Sequence, residues 1–178
     1  MNQQADTRWL VPHLPEDSEL LAALGRVTIR HGFLDHVLKR TVKTLADLTI
    51  EEADRALARD GSASLRELIK KIAVQRLGKA STATLKLRAL LGECERVTEY
   101  RNRVIHDLWA RELDGEPLLI GRDSSSRPPD GADLNKLADQ IFAVAGQLNK
   151  ARLDGGFLHA ALKDARGLSM VNSVKSGV

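Results

Sequence analysis

Two long apolar stripes at helical spacing constrain this chain more than any other feature of its sequence. Leu20, Leu24, Val27, His31, Leu34, Leu38, Val42 and Leu45 recur at three- and four-residue steps, so they line one side of a helix. Leu87, Leu90, Leu91, Cys94, Val97, Val104, Ile105 and Leu108 form a second such line. A helix with one apolar face must bury it against another element. The first stripe predicts a helix over 16–47, with Glu16, Asp17 and Glu19 at the positive end of its dipole. Gly25 and Gly32 lie inside it and are read as points of close helix approach. The second predicts a helix opened by Ser81 or Thr82 and reaching 107–110.

Shorter signals fill the rest. Thr49-Ile50-Glu51-Glu52 has the capping-box pattern and predicts a short helix ending near Asp60-Gly61. Ser64-Leu65-Arg66-Glu67 repeats the pattern and predicts a helix through Leu77, stopped by Gly78. Residues 109–113 and 116–122, joined by Asp114-Gly115, read as a β-hairpin. Residues 123–131 read as a loop. Asp133 is expected to cap a helix to Leu153 with Leu134, Leu137, Ile141, Val144, Ala145 and Leu148 on one face. Residues 157–165 suggest a short last helix. The fold class expected is all-α, an antiparallel helical bundle of about five helices with one small β-hairpin. Residues 1–15 form an N-terminal arm whose Trp9, Leu10 and Val11 are free to dock, 16–167 a single domain, and 168–178 a flexible tail.

Composition excludes several classes. With 178 residues, 43% of them apolar, the chain builds one domain with a real core. No apolar run approaches the ~18–20 residues of a transmembrane helix, so no membrane is expected as a partner. The opening residues lack the pattern of a secretory signal. A single cysteine, Cys94, excludes an intramolecular disulfide and a multi-cysteine zinc site; a reducing, cytoplasmic setting fits. Aromatic residues at 3% argue against stacking platforms for single-stranded nucleic acid. No glycine-rich phosphate loop is present, which argues against a nucleoside triphosphatase. Charge is uneven. Residues 61–111 hold 11 Lys/Arg and 5 Asp/Glu, a net of +6, whereas 1–60 carry −2 and 112–178 carry −1. The basic middle segment suits a polyanionic partner, although a solvated helix face reads the same way.

Chemistry concentrates at the end of the second long helix. Projected at about 100° per residue, Arg101 falls in the middle of the apolar stripe. A guanidinium is always charged and costly to bury alone. Arg101 therefore pairs with a carboxylate, for which Asp35 at the edge of the first stripe is the candidate, or lines a cleft that admits an anion such as phosphate. Asn102 and His106 are one turn apart, so their side chains can meet; Glu95 and Glu99 share that flank. A histidine near neutrality suits general acid–base work. With an arginine beside it, the ingredients match metal-free cleavage of an RNA phosphodiester: the base takes the ribose 2′-OH proton and the arginine stabilises charge on the phosphorane. No metal or other cofactor is expected, because Glu95, Glu99 and His106 lack ligands from a second element. His31 reads as a hydrogen-bonded core or interface histidine and Cys94 as core. His36 and His159 have no partners at metal-site spacing.

Arg101-Asn102-Arg103-Val104-Ile105-His106, in a late position on a long helix and followed by Trp109 and a hairpin, resembles the R-x4–6-H signature of HEPN domains (higher eukaryotes and prokaryotes nucleotide-binding). The first helix, with Asp35, is similar to that family's opening helix, and the resemblance covers roughly 16–153. The chain departs from it at Asp107, where glycine is common. The resemblance implies a homodimer in which two arginines and two histidines face one composite cleft, with metal-independent endoribonuclease activity, often in toxin–antitoxin or phage-defence systems. Arg101 would bind the scissile phosphate, Asn102 orient it and His106 act as general acid–base, with Asp35, Glu99 and Asp107 as surrounding or pairing groups. RNA is then the implied partner, with an antitoxin or defence component as a protein partner. The alternative is a catalytically inactive HEPN-like RNA-binding or protein-interaction scaffold. A DNA-binding regulator fits less well, because its basic recognition helix would be exposed rather than seamed with leucine.

Overall fold

The computed structural model describes residues 10–13, 15–112, 115–122 and 125–175. Helices dominate: α1 (Ser18–Ala46), the short α2 (Ile50–Ala56), α3 (Ser62–Leu77), α4 (Thr82–His106), α5 (Gly131–Arg152) and α6 (Phe157–Lys175). Strands β1 (Leu10–Pro12), β2 (Leu108–Glu112), β3 (Pro117–Ile120) and β4 (Ser125–Ser126) form one antiparallel sheet in the order β1-β2-β3-β4. Among the described residues no helix is long and apolar enough to cross a membrane.

The predicted stripes supply the core, with Leu20, Leu24, Leu90 and Ile105 partly buried at its edge; Leu108, expected in the second stripe, lies in β2 and is exposed. Val27, Leu34, Leu38, Val42 and Leu45 of α1 meet Leu87, Leu91, Cys94, Val97 and Val104 of α4, and Leu134, Leu137, Ile141 and Leu148 of α5. Cross-helix pairs give the chain directions. Arg26 meets Asn135, Arg30 meets Asp139 and Phe33 meets Phe142, so α1 and α5 run parallel. Asp35 meets Ser62 and Leu45 meets Arg76, so α3 is parallel to α1 as well. In contrast, α4 runs against them: Arg66 on α3 pairs with Glu95, while Gly78 beyond the end of α3 accepts from Thr84 near the start of α4. The parallel pairs are possible because α2 and residues 57–61 return the chain to the middle of α1, a return marked by the Arg40–Asp54 ion pair.

Several local expectations are corrected. Gly61, without a side-chain bond, is the N-cap of α3, and Ser64 donates to Asp60 instead of closing a second capping box. Asp130 rather than Asp133 caps α5; Asp133 is the reciprocal partner three residues on. The arm is not wholly loose, since Leu10–Pro12 pair with Ala110–Glu112. Ser125–Ser126, inside the expected loop, add a fourth strand. The expected tail is helical in its backbone to Lys175, because α6 continues past Ala165. Trp9 and Asp114 lie outside the described residues. A Cβ built on Gly25 or Gly32 would meet nothing within 4 Å, so neither glycine serves close packing.

Candidate functional site

The site is built at the C-terminal end of α4, where the helix gives way to the sheet. Asp107 takes an extended conformation, and its N–H still bonds the Arg103 carbonyl. Trp109, already in β2, turns back and donates its indole N–H to the Val104 carbonyl at 2.9 Å. That bond satisfies one of the carbonyls orphaned at a helix end. The helix therefore stops at His106 and not at 107–110, which places His106 in its exposed last position.

Arg101, Asn102 and His106 come together. Nη1 of Arg101 donates to Oδ1 of Asn102 at 3.1 Å and to Nε2 of His106 at 3.2 Å. A guanidinium only donates, so Nε2 accepts and carries no proton in this arrangement. The Nε2 lone pair is thus engaged by Arg101. Arg101 is half-buried and its Nε has no hydrogen-bond partner among the described residues. Asn102 and His106 are exposed.

Behind the cluster a polar seam runs between α1, α3 and α4. Buried His31 has Nδ1 3.3 Å from Oδ2 of Asp35 and Nε2 3.3 Å from Oγ1 of Thr98. The Thr98 hydroxyl donates to the Cys94 carbonyl at 2.7 Å, so it accepts from the imidazole. His31 is a hydrogen-bonded core histidine, as its position on the stripe predicts. Asp35 also accepts from Ser62 at 2.5 Å. Burial pushes the Asp35 carboxyl up, but hydrogen bonds from His31 and Ser62, with the charges of His31 and Arg101, outweigh that and hold it below its usual range. Asp35 therefore acts on Arg101 through charge; its direct partners are His31 and Ser62, not the guanidinium. Arg66, 5% exposed, pairs with Glu95 at 3.3 Å. The sequence reading passed over Arg66 and Ser62.

The two remaining acidic candidates sit apart. Glu99 is exposed, and neither Glu99 nor Asp107 forms a hydrogen bond or ion pair from its carboxylate among the described residues. The Asp107 carboxylate lies against Gly121, with Oδ2 2.9 Å from where a Cβ would stand. It lines a cavity of about 350 Å3 with Tyr100, Arg103, Leu119 and Arg127. Arg103 stacks over Tyr100 there, at 5.3 Å from the ring centre. Two larger cavities, of about 570 and 620 Å3, lie towards the start of α4, around Lys86 and Phe157, and a third, of about 590 Å3, lies on the sheet between Trp109, Leu20 and Arg127. Cys94 is fully buried and burial pushes its thiol up to about 12, so it is no nucleophile. Among the described residues no three His, Cys, Asp or Glu side chains converge on a point suited to a metal ion.

Comparison with protein-family models, with curated proteins and with solved structures gives no match to this chain.

Proposed function

We propose that Arg101, Asn102 and His106 are the RNA-cleaving centre of a HEPN-like, metal-independent endoribonuclease, completed when two copies of the chain associate. The observation that carries this reading is the contact of one guanidinium nitrogen with both Asn102 and His106. In the proposed reaction a scissile phosphate takes the place of His106 on Nη1. His106 Nε2, released, removes the proton from the ribose 2′-OH. The 2′ oxygen attacks phosphorus, charge builds on the non-bridging oxygens beside Arg101, and the 5′ oxygen leaves with a 2′,3′-cyclic phosphate behind it. That leaving oxygen needs a proton. One chain offers a single imidazole at the cluster, and it starts as the base. A second copy would supply a protonated His106 as the acid, which is the chemical reason for a composite homodimeric site. Arg103 and Arg127 line the neighbouring cavity and can each contact a phosphate, although Asp107 and Asp133 in the same lining balance their charge.

A second reading, a catalytically silent RNA-binding or protein-interaction module, is favoured by Leu108. This leucine is 49% exposed two residues after His106, where an apolar side chain suits a covered surface. A protein partner of the antitoxin or defence type belongs to either reading. The test is sedimentation of the purified chain with cleavage of structured and unstructured RNA in EDTA. A dimer that cuts RNA, and variants Arg101→Ala and His106→Ala that dimerise but do not cut, support the first reading. A folded protein that binds RNA, or a protein partner, without cutting supports the second.

A further inference from the structure

A second cationic site lies at the far end of α1, independent of the cleavage reading. Where α1, α5 and α6 converge, a pocket of about 350 Å3 is lined by Lys43, Asp47, Arg152, His159, Lys163 and Arg166. It stands about 20 Å along α1 from His31, at the ordinary helical rise. Four permanent cations share it with one carboxylate, Asp47, which Arg166 engages at 2.6 Å. His159 is turned to Asp154 at 3.3 Å.

Like charges gather here at a cost that the chain offsets only in part, through Asp47. Arg152 Nη2 donates to Asn149 at 2.5 Å, but its Nε is buried without a hydrogen-bond partner among the described residues. Arg40, whose charge reaches Arg152 although it does not line the pocket, pairs with Asp54 through Nη1 and Nη2 at 3.4 Å, with no hydrogen bond from Nη1. Burial, and then the charge of Arg40, pull the Arg152 guanidinium below its usual range. Crowded cations with unsatisfied N–H groups are the arrangement a multiply charged anion relieves, because its oxygens accept several bonds at once. No phenylalanine, tyrosine or tryptophan lines the pocket; its one ring is the His159 imidazole. Its basic residues come from outside the strongly basic middle segment, so net charge along the chain gives no hint of it.

We propose that this pocket binds a phosphate or diphosphate group through Lys43, Arg152, Lys163 and Arg166. The group belongs either to a small phosphorylated molecule or to the 5′-phosphate end of a nucleic acid; the recognising chemistry is the same.

The test is isothermal titration of the full chain with pyrophosphate, then with a short oligoribonucleotide carrying a 5′-phosphate or a 5′-hydroxyl. One pyrophosphate should bind per chain. Lys43→Gln and Lys163→Gln should each weaken it about 3- to 10-fold, as expected for loss of one partly exposed charge contact. Arg152→Gln should weaken it at least about 10-fold. Asp47→Asn should tighten it by about 3- to 10-fold; asparagine tolerates the left-handed backbone of Asp47, φ 61°, so this variant tests the site without endangering the fold. If Arg152→Gln fails to fold, the two lysine variants and Asp47→Asn decide. A 5′-phosphate oligonucleotide that binds more tightly than both pyrophosphate and its 5′-hydroxyl twin assigns the site to nucleic-acid ends. Parity with pyrophosphate assigns it to a small phosphorylated ligand. Absence of pyrophosphate binding at millimolar concentration, or binding unchanged in Lys43→Gln, Lys163→Gln and Asp47→Asn, overturns the proposal.

Discussion

Replacing Arg101 by methionine separates a functional arginine from a structural one. Methionine keeps most of the aliphatic stem and removes the charge and every N–H. Two bonds are lost, those to Asn102 and His106. Both partners are exposed, so water replaces them, and each loss costs about 0.5–1 kcal/mol at most. The attraction to Asp35 is also lost; across a half-exposed pair it is worth less than about 1 kcal/mol. Against this, the buried, unbonded Nε disappears, and leaving such a group unsatisfied costs about 1–3 kcal/mol. The balance runs from a loss of about 2 kcal/mol to a gain of about 2 kcal/mol, centred near zero. In a chain of this length, each kcal/mol moves the midpoint by about 2–4 °C. Urea denaturation at constant m-value, with a thermal melt alongside, reads that balance. Cleavage of a fluorogenic RNA should fall about 10²- to 10³-fold in the same variant, the usual cost of removing one donor from a developing oxyanion. A stable but inactive variant marks Arg101 as a group held ready for a ligand. A loss of stability above about 2.5 kcal/mol would contradict this reasoning and make Arg101 a strut between α4 and α1.

Three further outcomes follow from the same packing. Gly25→Ala and Gly32→Ala place a methyl group in open space on an exposed helix face, so each should raise unfolding free energy by about 0.5–1 kcal/mol in urea titration; a decrease would mean that another surface approaches α1 there. Asp35→Asn should cost about 1 kcal/mol at pH 7, with the penalty shrinking as pH falls below about 3.8. The sign follows from a carboxyl held below its usual range when folded: its stabilisation is complete above the unfolded value and is lost as the folded group protonates. A penalty that grows in acid would refute the assignment. Cys94, buried with its thiol near 12, should resist iodoacetamide in the native protein and react only through unfolding; rapid native labelling would place it on an open surface.

The core of α1, α4 and α5 was legible because each helix buries one face, and a single face imposes a period that composition cannot hide. Arg101 stood out for the same reason: a charge within a leucine stripe breaks the pattern. Arg66 carried that signal too, since Ser62, Arg66, Ile69 and Ala73 share a face, but Ser64 and Glu67 suggested a cap there and drew the helix start three residues late. The choice between Asp130 and Asp133 as cap of α5 is a close one, because both belong to the capping box and only the backbone says which residue is extended. Strand β1 was hidden for another reason. Three residues have no period, and their partner lies about a hundred residues away, so the pairing is written in neither segment alone. The cationic pocket was out of reach for the same cause. Its residues come from three helices, and only the parallel course of α1 and α5 brings their C-terminal ends together.

The central claim is that His106, freed from Arg101, takes the proton of a ribose 2′-OH. It is tested most directly by offering the protein, in EDTA, an RNA it cleaves and the same strand with one 2′-deoxy residue at the cleaved position, beside His106→Ala on the all-ribose strand. The account predicts a 2′,3′-cyclic phosphate end from the first substrate, no cut at the deoxy position, and a loss of about 10²- to 10⁴-fold in the variant. Cleavage that continues at the deoxy position, or that His106→Ala leaves unchanged, would contradict it.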